Sequence, residues 1–329
     1  MVSALPFDDF RTLFDRLPEP DEIIEKDIRK IFSRATLAQG PLGQMEDMAA
    51  WFASWTERPR PQVMRPLVAI FAGTHGVAAH GVSPRPVTAT QEAVELCTAG
   101  GAAINQICLT YDLGLKVFDL ALDLPTGDII AEPALDERGC AATMAFGMEA
   151  IAGGADLLCL GDMGVGNTTV AATLLAALFG GQGRDWVGAG SGADEAGIAR
   201  KIQIVDQALE LHGPYLDDPL EALARVGGRE FAAIAGAILA ARMERIPVLI
   251  DGFAAIAAAA VLHKVKPGAL DHCLVASLSP EPGHERALAF LGMKPVLDLG
   301  IGHGQAVGAA LCAGLVKAAT QMASGMAVA

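Results

Sequence analysis

The chain has 329 residues, of which 52% are hydrophobic and 5% aromatic. This is enough apolar material for one large domain or two smaller ones, and the abundant alanine and glycine favour closely packed layers of helices and strands. A formal net charge of -14 would repel phosphate backbones and anionic lipids, so neither nucleic acid nor a membrane is expected as a partner.

The first 65 residues are charged and have the spacing of helices. Helices are predicted over residues 21–32 and 44–55, and a proline-rich link follows over residues 58–66. We predict that residues 1–65 form a small helical subdomain that packs on the core or on a partner subunit. Residues 1–14 lack the basic front and the apolar centre of a secretory signal, which predicts a cytoplasmic protein.

From residue 66 onward, short apolar runs alternate with helical patterns. Strands are predicted at residues 67–72, 116–120, 156–160, 248–250, 273–276 and 295–299. Fully apolar strands that alternate with helices are typical of a parallel sheet covered on both faces. Residues 66–329 are therefore predicted to form a doubly wound, mostly parallel α/β domain of Rossmann-like type. Its last helix, predicted over residues 305–319, is apolar on every face and should be buried.

The sequence indicates neither a membrane span nor a metal site. Charged or turn residues interrupt the longest apolar stretches, as Asp251 interrupts residues 246–262, and none reaches the roughly 20 residues of a spanning helix. The six cysteines are far apart and include no C-x-x-C pair. They are expected to be small buried hydrophobes rather than metal ligands or disulfide partners.

The clearest motif is the glycine-rich run GDMGVGNTT at residues 161–169, between a predicted strand and a helix predicted over residues 170–178. Glycines let main-chain amides approach an anion, and a helix N-terminus adds hydrogen-bond donors and a favourable dipole. Asn167 stands where the lysine of a P-loop would contact a nucleoside triphosphate, so a monophosphate is the predicted ligand. The alternative interpretation is a purely structural strand-to-helix turn.

A second glycine-rich stretch, GAGSG at residues 188–192, precedes a helical pattern that contains Arg200 and Lys201. Either cation could neutralise a phosphate or a carboxylate. Alternatively, both could be solvated charges on the helix surface, and spacing alone favours neither interpretation.

Six segments resemble, in the same order, motifs of the nicotinate-nucleotide:dimethylbenzimidazole phosphoribosyltransferase family. They are FAGTHGV at 71–77, AGGAAIN at 99–105, the run at 161–169, IDG at 250–252, SPEPGH at 279–284 and DLG at 298–300. The resemblance extends over about residues 41–317. It implies a homodimeric enzyme of cobalamin assembly that needs no metal or cofactor.

The resemblance also implies the reaction. The phosphoribosyl group of nicotinate mononucleotide moves to a nitrogen of a benzimidazole-type base, with inversion from β to α, which gives nicotinate and α-ribazole phosphate. Nicotinate leaves from a cationic pyridinium and needs no protonation. The enzyme must therefore align the reactants and supply a base for the incoming nitrogen.

The resemblance assigns substrate-binding roles to particular positions of this chain. The phosphate loop comprises Gly161, Asp162, Gly164, Gly166, Asn167 and Thr168, with Asp162 where the family usually has glutamate. The family's functional lysine corresponds to Lys201. Further substrate-binding residues are expected at His75, Ser83, Gly190, Ser191, Ser279, Glu281, Gly283 and His284. Considered without the resemblance, His284 would be interpreted as a structural histidine.

The chain departs from the family pattern around the expected acceptor. The family's catalytic glutamate, in the motif Arg-Leu-Gly-Glu-Gly-Thr-Gly, corresponds without a gap to Gln305, which cannot accept a proton at neutral pH. The leucine of that motif corresponds to His303, and a family glutamine beside the acceptor pocket corresponds to Glu92. Gln305, His303, Glu92 and Lys201 are therefore the candidate catalytic residues.

Three interpretations of these changes are open at this point. His303 or Glu92 could act as the base, the acceptor could be a more polar base or a phenol, or the chain could bind nucleotide or base without significant turnover. A P-loop nucleotide hydrolase is disfavoured, because Asn167 replaces the lysine and no metal-binding carboxylate pattern accompanies the loop.

Overall fold

A single six-stranded sheet forms the centre of the computed structural model, which describes residues 5–35 and 40–326. The strands are β1 (Pro66–Ala72), β2 (Gly114–Asp119), β3 (Leu157–Met163), β4 (Val248–Asp251), β5 (Cys273–Ser277) and β6 (Pro295–Leu297). Their order is β2-β1-β3-β4-β5-β6, and each neighbouring pair is parallel. All the predicted strands are present, most of them within two residues of their predicted ends, so the predicted α/β fold is confirmed.

Helices precede and connect these strands. They are α1 (Pro6–Phe14), α2 (Glu22–Ala35), α3 (Gln44–Thr56), α4 (Ala89–Thr98), α5 (Ala103–Tyr111), α6 (Glu137–Met148), α7 (Asn167–Phe179), α8 (Glu195–His212), α9 (Pro219–Val226), α10 (Arg229–Met243), α11 (Phe253–Val265), α12 (Pro282–Leu291) and α13 (Val307–Gly325). Parallel strands require crossover connections of this kind, because a tight hairpin reverses the chain direction.

Both faces of the sheet are covered. Alternate residues of β1 enter opposite core clusters: Ala69 and Phe71 belong to the first cluster, and Val68 and Ile70 to the second. The first cluster includes buried residues of α1 and α6–α12, and the second includes buried residues of α2–α5 and α13. This is the doubly wound arrangement that the continuous apolar strands predicted.

Small residues allow the layers to approach closely. Helices α6 and α10 cross at Gly147 and Gly236, where a Cβ atom on either glycine would overlap a main-chain carbonyl of the other helix, at Ala233 and Met144 respectively. With so few aromatic side chains, backbone-to-backbone packing of this kind fills the core.

The N-terminal helices contact both faces of the sheet. Phe7, Phe10 and Phe14 of α1 are buried in the first cluster, whereas α2 and α3 contribute to the second, for example with Phe52. The Arg242 guanidinium on α10 lies 4.2 Å from the ring centre of Trp55 on α3. These contacts join helices α1, α2 and α3 to the α/β core, and the division of the chain at residue 65 stays a prediction.

Two helix starts differ from the predicted ones. Helix α13 begins at Val307 rather than at residue 305, because Gln305 and Ala306 have left-handed backbones with φ of 68° and 58°. Helix α7 begins at Asn167, so the end of the glycine-rich run forms its first turn.

Membrane-spanning helices and metal-binding clusters are both absent from the part of the chain that the structure describes. No helix within residues 5–35 and 40–326 is both long and apolar enough to cross a bilayer. The same residues contain no cluster of His, Cys, Asp and Glu side chains that could hold a metal ion. All six cysteines are free, and all six are buried, as the sequence predicted for small hydrophobic side chains.

Candidate functional site

The main candidate site is a cavity of about 270 Å³ where the carboxyl ends of three central strands meet. Asp162 near the end of β3, Asp251 at the end of β4 and Ser277 at the end of β5 all line it. Next to β3 lies β1, and the strand order reverses between these two strands, which is where open parallel sheets bind ligands.

The glycine-rich run forms one wall of this cavity. Gly164, Gly166, Asn167 and Thr168 line it, and α7 begins at that point. Gly166 has a φ of 90°, which directs the chain into the helix and is disfavoured for residues with a side chain. The N-terminal end of α7 therefore directs its positive dipole end toward the cavity, as an anion site requires, although the amides of Asn167 and Thr169 already donate to the carbonyls of Gly164 and Gly166.

Lys201 lies directly behind this wall. Its side chain is buried, and Nζ donates to the Gly188 carbonyl at 2.7 Å and to Thr168 Oγ1 at 3.1 Å. Burial lowers the pKa of Lys201, whereas nearby Glu281 raises it. Of the two cations on α8, Arg200 is exposed and bonds to the Gly81 carbonyl, so the buried Lys201 is the one placed beside the anion site.

Other side chains of the run are already engaged. Asn167 Nδ2 donates to Asp162 Oδ2 at 2.7 Å, so this amide holds a carboxylate within the protein. Thr169 is fully buried on α7 and does not line the cavity. Gly161 lies beneath the cavity floor, where a Cβ atom would overlap the backbone of Ala306.

Three buried carboxylates interact at the site: Asp162 and Asp251 line the cavity, and Glu230 lies outside the lining. Burial raises the pKa of Asp162 to about 7, and the charges of Glu230 and Asp251 contribute to this rise, whereas hydrogen bonds from Asn167 and the Ala255 amide lower it. Burial also raises the pKa of Asp251, which accepts hydrogen bonds from Ser277 Oγ at 2.6 Å and the Gly308 amide at 2.7 Å. These bonds lower that pKa, since they stabilise the charged form.

His75 supports this carboxylate group from below. Its Nε2 lies 2.5 Å from Glu230 Oε1, and both side chains are buried. Glu230 Oε2 and His75 Nδ1 have no hydrogen-bond partner within the described protein. The sequence assigned His75 to substrate binding, but the structure places it outside the main cavity, in the lining of a second one of about 470 Å³.

Gln305 occupies a tight turn over Asp162. Its backbone amide donates to the Asp162 carbonyl at 3.2 Å, and the Cys97 thiol lies 3.8 Å from its Oε1. Gln305 and His303 both line the cavity, and His303 is exposed. Glu92 lies on α4 outside the cavity lining and is exposed, although its neighbours Ala89 and Ala93 belong to the lining.

The SPEPGH segment supports the opposite wall. Ser279 and Glu281 line the cavity, whereas Gly283 and His284 are buried behind them. The Ser279 amide donates to His284 Nδ1 at 3.1 Å, and burial lowers the pKa of His284 to about 4, so the ring is neutral at physiological pH. Glu281 accepts a hydrogen bond from the Gly190 amide at 2.6 Å, which joins this segment to the second glycine-rich stretch.

Two serines lie together at the cavity wall. The hydroxyls of Ser83 and Ser191 are 3.2 Å apart, and both residues line the cavity. Most of the predicted substrate-binding residues are therefore in one place. Those that do not line this cavity are Gly161, Gly283, His284 and His75.

Some residues of the site were not predicted from the sequence. Arg85 lines the cavity from an exposed loop, and only its position close to Ser83 could have indicated this. Asp251 was part of a family motif but had no assigned role. Glu230 is an acidic residue at the start of an otherwise apolar helix, and that contrast was the available signal.

The chain is similar to known proteins in both sequence and fold. A phosphoribosyltransferase family model matches residues 17–329. The chain is 62% identical over 326 residues to the nicotinate-nucleotide--dimethylbenzimidazole phosphoribosyltransferase of Rhizobium leguminosarum bv. trifolii (strain WSM2304), covering 99% of this chain and 96% of that protein. It is 59% identical, with the same coverage, to the protein of that name from Brucella anthropi. The crystal structure of nicotinate-nucleotide-dimethylbenzimidazole phosphoribosyltransferase from Thermus thermophilus matches with a TM-score of 0.86 and 36% identity, over 94% of this chain and 97% of that one.

Proposed function

The chain belongs to the nicotinate-nucleotide:dimethylbenzimidazole phosphoribosyltransferase family, and on this premise we propose how it performs phosphoribosyl transfer. It moves the phosphoribosyl group of nicotinate mononucleotide to 5,6-dimethylbenzimidazole or a related aromatic base, a step of cobalamin lower-ligand synthesis. The observation that carries this function is the cavity at the ends of β3–β5, where the glycine-rich wall and the buried Lys201 make an anion site.

The phosphate binds at the N-terminal end of α7. Main-chain amides there supply donors, Thr168 supplies a hydroxyl, and Lys201 supplies a positive charge within hydrogen-bond distance of that hydroxyl. Because the ammonium group is already tied to Gly188 and Thr168, its position is set before substrate arrives, which reduces the entropy lost on binding.

A second cation suits the second anionic group of the substrate. Nicotinate mononucleotide carries a carboxylate in addition to its phosphate. Within residues 5–35 and 40–326, Arg85 is the one lysine or arginine that lines the cavity. A guanidinium pairs well with a carboxylate because it offers two parallel N–H donors. We assign Arg85 to the nicotinate carboxylate, a group that a benzimidazole lacks.

The acceptor binds between α4 and the turn at residues 301–305. Ala89 and Ala93 supply small apolar surfaces, and Ile301, His303 and Gln305 complete the lining from the turn. Glu92 lies at the edge of this region, on the same helix as the two alanines. A planar aromatic base is suited to a slot with small apolar walls and a few polar groups.

The assembly and location follow the family. We propose a cytoplasmic homodimer, and the exposed large apolar side chains near the β2 edge of the sheet support a subunit contact there. Leu96 on α4 is 51% exposed, Leu109 on α5 is 78% exposed and Leu124 after β2 is 59% exposed. Exposed leucines are typical of surfaces that a partner covers, and light scattering coupled to size exclusion measures the assembly.

The decisive experiment mixes the protein with nicotinate mononucleotide and 5,6-dimethylbenzimidazole and follows free nicotinate by chromatography. Release that depends on the acceptor, together with α-ribazole phosphate, is the expected result. If nucleotide binds but no nicotinate appears with this base, with purines or with phenols, the chain is a binder and the proposed transfer is wrong.

A further inference from the structure

The family's catalytic carboxylate is missing at Gln305, but another carboxylate lies beneath the same turn. The Gln305 amide bonds to the main-chain carbonyl of Asp162, and Gly304 also packs against Asp162. Asp162 lines the cavity and is only 8% exposed, and a Cβ atom on Gly304 of the turn would lie 4.0 Å from its Oδ2. An acidic group is therefore present one layer below the position from which the family's glutamate acts.

The other titratable groups of the lining are less suited to accept a proton. The two oxygens of Asp251 bond to Ser277 and to the amide of Gly308, which ties this carboxylate to β5 and α13. Glu281 Oε1 accepts a hydrogen bond from the Gly190 amide, and the charge of Glu281 acts on Lys201, so this carboxylate belongs to the phosphate side of the cavity although its Oε2 has no partner among the described residues. His303 lies on an exposed part of the turn. Asp162 Oδ2 accepts a hydrogen bond from Asn167, and a carboxylate oxygen can accept a second one.

Charged groups packed around Asp162 contribute to its raised pKa. Glu230 on α10 and Asp251 on β4 face it with negative charge, while Asn167 on α7 and the Ala255 amide of α11 donate to it. His75 lies behind Glu230 and fixes its orientation. The resulting pKa of about 7 is the value at which a carboxylate is both partly ionised at neutral pH and basic enough to take a proton.

We propose, on the basis of the proposed transfer reaction, that Asp162 is the base of this enzyme and that Glu230 is a positioning residue that maintains its basicity. In the step, the lone pair of one acceptor nitrogen forms a bond to C1′ of the ribose. The bond from C1′ to the pyridinium nitrogen breaks, and its electron pair stays with nicotinate. The proton on the other acceptor nitrogen passes to Asp162 and then to solvent.

The first test compares Asp162→Asn with Asp162→Glu. The asparagine variant keeps the shape and can still accept the hydrogen bond from Asn167, so it should fold and bind nicotinate mononucleotide, but its kcat should fall about 100-fold or more. The glutamate variant restores a carboxylate and should recover most of the rate. The matched control is Asp271→Asn, which removes another carboxylate of raised pKa at the amino end of β5, outside the cavity.

The second test returns the carboxylate to the family position. The double variant Asp162→Asn with Gln305→Glu should regain activity that Asp162→Asn lacks, and Gln305→Glu alone should equal or exceed the unmodified enzyme. If Asp162→Asn keeps kcat within about threefold of the unmodified protein, well short of the loss that removing a general base causes, Asp162 is not the base. An unmodified protein that releases no nicotinate would instead contradict the transfer function itself, so the two failures are distinct.

Glu230 is tested through the pH profile. Glu230→Gln removes a negative neighbour, which lowers the pKa of Asp162, so the acidic limb of kcat against pH should move to lower pH. If Glu230→Gln reduced only the stability of the fold, the acidic limb of kcat against pH would not move. If a folded Glu230→Gln variant has its acidic limb at the same pH as the unmodified enzyme, the assigned role of Glu230 is wrong.

Discussion

A buried carboxylate that is useful to the reaction reduces the stability of the fold. The pKa of Asp162 rises from 3.8 to about 7 on folding, so the folded state holds its proton more tightly than the unfolded state does. Stability from this group is therefore present at low pH and is lost as pH rises from about 4 to 7. At higher pH the loss is up to about 4 kcal/mol.

We therefore expect Asp162→Asn to be more stable than the unmodified protein at pH 8, and to differ less from it at pH 5. Urea unfolding at both pH values measures the effect. The control Asp271→Asn should show a smaller pH dependence, since that carboxylate is far less buried. If the free energies of unfolding of Asp162→Asn and the unmodified protein differ equally at pH 5 and pH 8, Asp162 is ionised in the folded protein at both pH values.

The assignment of Arg85 predicts a loss of donor binding without a loss of acceptor binding. Arg85→Ala should raise the KM for nicotinate mononucleotide about tenfold, as expected for an exposed charge-assisted hydrogen bond, and leave the KM for dimethylbenzimidazole unchanged. Steady-state kinetics with each substrate varied in turn measures both values. Arg138→Ala on α6, outside the cavity lining, is the control. Equal changes in the two KM values would contradict a specific contact with the carboxylate.

At this scale the sequence predicted which loops carry the chemistry better than it predicted what each side chain contacts. The glycine-rich run was recognisable because glycines that follow a strand and precede a helix commonly bind an anion. The hydrogen bond of Asn167 to Asp162 and the burial of Glu230 depend on how the loop folds and on which helices pack together. Such tertiary contacts leave no local pattern.

Helices α6 and α10 approach each other at Gly147 and Gly236, each of which faces a main-chain carbonyl of the other helix. We predict that Gly236→Ala destabilises the protein by roughly 1–3 kcal/mol, because the new methyl group would push the two backbones apart. The control is Gly325→Ala in the last turn of α13, where the nearest atom is a flexible glutamine side chain. It should be neutral or slightly stabilising, since alanine favours helix.

Thermal unfolding of the two glycine variants provides this comparison. If Gly236→Ala unfolds at the same temperature as the unmodified protein, the helices can separate without cost and the contact is not tight.

Elements were predicted well where a short apolar run was bounded by polar or glycine-rich residues, as for β1 and β4, whereas β3 continues three residues beyond its predicted end into the glycine-rich run. The prediction failed at the start of α13, because Gln305 and Ala306 are good helix formers but have left-handed backbones. The reason is tertiary: the turn packs on Gly161 of β3 and bonds to Asp162, which no local propensity expresses. Helix α1 was also not predicted, because its nine residues are too short for a clear period.

Across the whole molecule, the N-terminal segment completes both core clusters. Phe10 on α1 lies in the first cluster and Phe52 on α3 in the second, on opposite faces of one sheet. We predict that Phe10→Ala and Phe52→Ala each destabilise the same single unfolding transition, by about 3–5 kcal/mol. Ile23→Ala, at a side chain that is 73% exposed, is the control and should change stability by less than about 0.5 kcal/mol.

Two signals report on different parts of the molecule during unfolding. Trp51 and Trp55 lie on α3 and Trp186 is buried in the first core cluster, so fluorescence is recorded on a Trp186→Phe variant, while circular dichroism reports on all helices. If tryptophan fluorescence changes before the helical signal is lost, residues 1–65 unfold separately and the predicted division at residue 65 is real. Coincident curves would show one cooperative unit.

The walls of the cavity differ in how firmly the core holds them. The phosphate wall is largely buried and continues from the central strand β3, whereas residues 298–304 follow the three-residue edge strand β6 and are mostly exposed. Replacing a side chain on that turn disturbs few neighbours, but replacing one on the phosphate wall forces the centre of the sheet to repack. Evolutionary drift should therefore diversify the range of accepted aromatic bases much faster than it alters the nucleotide donor.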